Sequence, residues 1–93
     1  MTSRTWHVHL SLATASDVPR PDHATTVAHA VLAPDGTTRL TGTGRAHRHP
    51  GDVDVPDVGD DIAVARALGE LSDRLVADAL GRVAPQEPDP GAW

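Results

Sequence analysis

Residues 25–47 read TTVAHAVLAPDGTTRLTGTGRAH, two alternating runs folded about a turn. In the first run Ala28, Ala30 and Leu32 alternate with Val27, His29 and Val31; in the second, Leu40, Gly42, Gly44 and Ala46 alternate with Arg39, Thr41, Thr43, Arg45 and His47. A period of two places each set on its own face of a strand. Between the runs, Pro34 presets the backbone dihedral, Asp35 bonds locally and Gly36 accepts positive φ. Residues 25–33 and 38–47 are therefore predicted to form an antiparallel hairpin with one small-residue face.

Outward from the hairpin, residues 5–12 (TWHVHLSL) alternate as strictly, with Trp6, Val8, Leu10 and Leu12 on one face and His7 and His9 on the other. This predicts a third strand. Residues 13–23, with Pro19 and Pro21, read as a loop longer than a simple hairpin needs. Residues 48–59 read as a Pro- and Gly-bearing connection held down by Val53, Val55 and Val58. Residues 60–80 are predicted helical, because Val64, Leu68, Leu71, Leu75 and Ala79 recur at spacings of four, three, four and four as one apolar stripe. Asp60 and Asp61 sit where the helix dipole favours negative charge, and Gly81 reads as the stop. Residues 84–93 read as a disordered tail. The expected fold is α+β: a three-stranded antiparallel sheet and one long C-terminal helix, β-β-β-α, in a single domain over residues 1–83. The small inner face lets helix side chains approach closely, and Trp6 is expected to lie across the glycines. So small a unit covers one sheet face only, so a homodimer is expected.

Composition narrows the function. The 93 residues contain no cysteine, which removes disulfides, thiolate catalysis and Cys-based zinc sites. Nothing approaches the roughly 20 apolar residues of a membrane span, and residues 1–6 lack a signal core, so a cytoplasmic protein without membrane contact is expected. The formal charge is −5, but it is divided: residues 1–49 hold five Arg against three Asp and all six His, whereas residues 50–93 hold three Arg against ten acids. The first half can meet a polyanion; the second repels one.

The residues of interest fall on the strand face turned from the helix: His7, His9, His29, Arg39, Arg45 and His47. Arginine's planar fork suits phosphate, and imidazoles add charge toward acid pH. The plainer reading of this face is a solvated surface, or a dimer contact helped by Val27 and Val31. His7 and His9 with a cross-strand histidine could begin a zinc site, but zinc wants three or four converging ligands, so no metal is assigned. Gly42-Thr43-Gly44 lacks the further glycine or the Gly-Lys-Ser/Thr of a phosphate loop. The serines lack a nucleophile elbow. Asp60 and Asp61 project about 100° apart and make no acid–base dyad. No cofactor, small-molecule substrate or enzymatic activity is therefore expected. With two Trp as the only aromatics besides His, stacking of bases on the sheet is strongly disfavoured. Arg66, Glu70 and Arg74 read as surface ion pairs of little worth.

The opening W-x-V-x-L strand, the G-x-G of the third strand and the run VPDVGDDIAVARAL at residues 55–68, followed by a Leu-rich helix, resemble a small actinobacterial family of unknown biochemical function. The resemblance covers residues 5–80. It implies a double-stranded-RNA-binding-domain-like fold, βββα protomers paired as dimers, similarity to ribosome hibernation-promoting factors, and an association with hypoxia and dormancy, with no catalytic residues. The resulting expectation is a non-catalytic stress protein that binds the ribosome or its RNA and damps translation. The alternative, favoured by the overall acidity, is a protein-interaction or structural dimer module with no RNA contact.

Overall fold

A computed structural model describes residues 2–16, 24–48 and 56–83. Three strands precede one helix: β1 His7–Ser16, β2 Ala24–Ala33, β3 Leu40–Arg48 and α1 Pro56–Val83. The strands form one antiparallel sheet in the order β1-β2-β3. This is the expected α+β, β-β-β-α architecture. Val8 lies opposite Leu32, Leu10 opposite Ala30 and Leu12 opposite Ala28; across β2, Ala28 faces Gly44 and Ala30 faces Gly42. The turn is closed as its residues dictate. Gly36 takes φ 86°, its N–H donates to Ala33 O at 3.4 Å, and Thr37 N–H donates to Asp35 Oδ1 at 3.1 Å.

Three of the four elements are longer than expected, whereas β3 starts at Leu40 rather than residue 38. β1 continues through residues 13–16, which sequence reading assigned to the loop; Ala13 and Thr14 pair with Val27 and Thr26, and the Thr14 and Thr26 hydroxyls share a 3.0 Å hydrogen bond. Cross-strand pairing thus overrides the weak strand signal of an Ala-Thr-Ala-Ser run. The helix starts at Pro56 rather than residue 60, since proline's missing N–H costs nothing in a first turn. Asp60 and Asp61 consequently lie in its second turn. The helix also runs through Gly81 to Val83, so Gly81 is no stop. The remainder of the 13–23 loop, Val53 and Val55, and the 84–93 tail with Trp93 lie outside the described residues.

The face the helix buries is rotated from the expected stripe. Buried positions are Ala63, Ala67 and Leu71, against Ala28, Ala30, Leu32 and Ala46; Val64 and Leu75 are partly buried, whereas Leu68 is 40% exposed and Ala79 is exposed. The cause is the pair of glycines in β3. A Cβ built on Gly42 would overlap the Ala67 carbonyl oxygen and come within 2.6 Å of Leu71 N; one built on Gly44 would overlap Ala63 O and Ala67 N. Helix backbone therefore rests directly on strand backbone, and only alanines fit between. Trp6 does not cover the glycines; it is 51% exposed, beside Arg39.

Two glycine substitutions test this contact. Gly44→Ala forces backbone apart and is expected to destabilise by about 3 kcal/mol, the upper range for overpacking. Gly69→Ala, with nothing within 4 Å of the added methyl, should stabilise by about 0.5–1 kcal/mol through helix propensity. Urea unfolding of both variants measures the contrast; similar effects would contradict the backbone contact.

Candidate functional site

Because even-numbered residues of β2 and β3 meet the helix, the odd-numbered ones form the opposite sheet face. That face places His7, His9 and Ser11 on β1, Thr25, Val27, His29 and Val31 on β2, and Thr41, Thr43, Arg45 and His47 on β3. The register orders the basic residues diagonally. His9 lies opposite Val31, two residues from His29; His29 lies opposite Thr43, two residues from Arg45; and His47 follows two further along. Diagonal neighbours of this kind are about 7–8 Å apart, within reach of long side chains. The His7 and His9 rings stack at 6.4 Å between centroids, 25° from parallel.

Threonines hold two of the imidazoles. His29 Nδ1 and Thr43 Oγ1 are hydrogen-bonded at 3.2 Å, and Thr25 Oγ1 and His47 Nδ1 at 2.7 Å. Each pair sits directly across β2 and β3, so the register itself positions the ring. These threonines were missed by sequence reading; the signal was their placement opposite a histidine, visible only once register is known. No carboxylate occurs in any of the three strands, so the described part of this face is free of negative side chains. The described acids lie in the turn and on the helix, beyond the sheet.

Arg39 does not join this face. It precedes β3, which starts at Leu40, so strand alternation does not bind it. Its guanidinium turns toward the helix, donating to Asp78 Oδ2 at 3.0 Å and lying 5.6 Å over the Trp6 ring. Arg82 reaches the same carboxylate at 3.2 Å. Arg39 thus clamps the hairpin to the helix, and the outer face retains His7, His9, His29, Arg45 and His47 of the six expected residues.

The helix flank beside β3 has a different task from the weak ion pairing expected of it. Arg66 donates to Arg45 O at 2.6 Å, Thr43 N–H donates to Glu70 Oε1 at 3.3 Å, and Arg74 donates to Thr41 O at 3.0 Å. Arg74 also pairs with Glu70 at 3.0 Å. These backbone groups belong to the odd residues of β3, which point away from β2. Three side chains, at i, i+4 and i+8, occupy an open sheet edge that would otherwise invite another strand. Among the described residues, no group of three or more His, Cys, Asp or Glu side chains is gathered to hold a metal, and no helix is long and apolar enough to cross a membrane.

A family model described as Rv2632c-like matches residues 4–90. Two similar relatives are an uncharacterized protein of Mycobacterium bovis, Mb1767, and one of Mycobacterium tuberculosis, MT1780. Each is 46% identical over 37 residues, covering 40% of this chain and 39% of the relative. The chain therefore spans about two fifths of the length of the curated relatives it matches. No solved structure matches it.

The edge cap is testable apart from any ligand. Glu70→Ala with Arg74→Ala should cost about 1–2 kcal/mol, chiefly through backbone groups left without partners, and should promote self-association through β3. Urea denaturation and light scattering report the two effects. An unchanged midpoint with no new aggregation would show that water serves the edge equally well.

Proposed function

The chain belongs to the Rv2632c-like family, and from that premise we propose that it is a non-catalytic, stress- and dormancy-associated protein of the cytoplasm. In this reading it works as a homodimer, docks on the ribosome through its outer sheet face, and damps translation. The observation that carries the reading is a sheet face whose strands hold no carboxylate, with its diagonal of His7, His9, His29, Arg45 and His47. A protein of net charge −5 is a poor general ligand for phosphate. Segregation changes the local balance: Glu70, Asp73 and Asp78 belong to the helix, so among the described residues the strand side chains that an RNA backbone meets on the far side of the sheet are neutral or cationic.

The chemistry available is recognition of shape and backbone. Arg45 supplies a forked donor to phosphate oxygens, and threonine and histidine side chains supply further hydrogen bonds. With neither Phe nor Tyr in the chain, and Trp6 on the helix side, bases have no aromatic platform on this face. The resemblance to hibernation-promoting factors and to a double-stranded-RNA-binding-domain-like fold supports the same choice of partner. The overall negative charge favours a second reading, a protein-interaction module with no RNA contact.

Ribosome co-sedimentation decides between them. Binding at low salt that falls steeply as salt rises, with Arg45→Glu weakening it at least about tenfold, is expected for phosphate contacts. Arg39→Glu is expected to reduce stability, through Asp78, rather than binding to the outer face. Absence of sedimentation at low salt, or salt-insensitive binding untouched by Arg45→Glu, would favour the protein-interaction reading.

A further inference from the structure

The helix is apolar on two opposite sides. One side rests on the sheet through Ala63, Ala67 and Leu71. On the other, Val58, Ile62, Val76 and Leu80 are 49%, 39%, 55% and 54% exposed. At 100° per residue these four fall in one row, with Gly69 at its middle. Near its C-terminal end the row meets a shallow hollow lined by Val76, Ala79, Leu80 and Val83. A helix lying on the surface of a sheet needs one apolar side; a second one marks a helix covered from above as well.

The sheet has a matching vacancy. The helix packs on β3 and β2 and scarcely touches β1. On the helix side of β1, Trp6, Val8, Leu10 and Leu12 therefore remain 51%, 44%, 42% and 44% exposed. Strands about 4.8 Å apart and helices about 10 Å apart leave room beside α1 for one more helix on this shelf. Leu68, 40% exposed, lies on the helix flank away from the β3 edge, toward that empty place.

We propose that a second copy of this chain fills both surfaces at once. Related by a two-fold axis, its helix lies on the β1 shelf of the first copy, alongside the first helix. Its own β1 shelf closes over the outer helix row of the first. The product is a three-layer sandwich of sheet, paired helices and sheet. This inference takes the pairing proposed above as its premise and assigns the surfaces that make it.

Three observations select a second copy over another occupant. Shelf and row are complementary and lie on the same chain, so one isologous contact satisfies both twice. The exposed fractions of these nine side chains amount to about 700–800 Å² per copy, or roughly 1,500 Å² in total, the size of a standard specific interface. The shelf strand carries no Asp, Glu, Lys or Arg, so it brings no such charge of its own to the partner's helix. The outer His and Arg faces stay on the two outsides of the sandwich. Joining two β1 strands edge to edge instead would leave both helix rows in water.

The absence of cysteine makes the test clean. Sedimentation of the full chain is expected to give a dimer, and Val76→Asp, at a position that the single chain leaves in solvent, is expected to weaken it at least about a hundredfold with the circular dichroism unchanged. Leu10→Cys mixed with Ile62→Cys, Gly69→Cys or Val76→Cys should form interchain disulfides between the two variants. A monomeric wild type overturns both this inference and the pairing it rests on. A dimer indifferent to Val76→Asp, or one in which Leu10→Cys crosslinks only to its own copy, overturns the sandwich alone.

Discussion

Helix α1 rests on β3 backbone against backbone, and the rest of the molecule follows from that contact. With Gly42 and Gly44 beneath Ala63 and Ala67, nothing larger than an alanine methyl separates the two elements there. The close approach draws the helix toward one edge of the sheet. A core built largely of alanine buries little apolar area per residue, so the folded chain gains less from it than from a core of Leu and Phe. The same displacement leaves β1 uncovered and its leucines half in water. A leucine in place of either glycine partner would push the helix outward and, with it, every contact on the β3 side.

Displacement toward β3 also brings the Arg66, Glu70 and Arg74 flank within reach of that strand's free backbone groups. The two sheet edges are thereby made unequal. One is occupied by side chains with fixed charge; the other borders an apolar shelf. Fibre growth by β3-to-β1 addition is blocked at one end, which favours closed assemblies over open ones.

Charge is divided between layers rather than along the chain alone. The helix carries Asp60, Asp61, Glu70, Asp73 and Asp78, while the strands carry none. A net charge of −5 therefore says little about the sheet's outer face, where arginine and threonine-bonded histidines stand on strands that carry no carboxylate. Recognition of a polyanion depends on that local field.

Alternation in residues 5–12, 25–33 and 38–47, the Pro-Asp-Gly turn and the helical periodicity after residue 60 were enough to settle element order, antiparallel pairing and which face of each strand points inward. They also placed His7, His9, His29, Arg45 and His47 together, because a period of two is a local property of an extended chain. Three matters were decided only by tertiary structure. Which helix residues face the sheet depended on the glycines across from them, which favoured Ala63 and Ala67 over the more hydrophobic stripe. The direction of Arg39 depended on Asp78, thirty-nine residues away. The capping of β3 depended on where the helix came to rest. Each is a contact between distant segments, and periodicity, which describes only a segment's own geometry, carries no term for its neighbour.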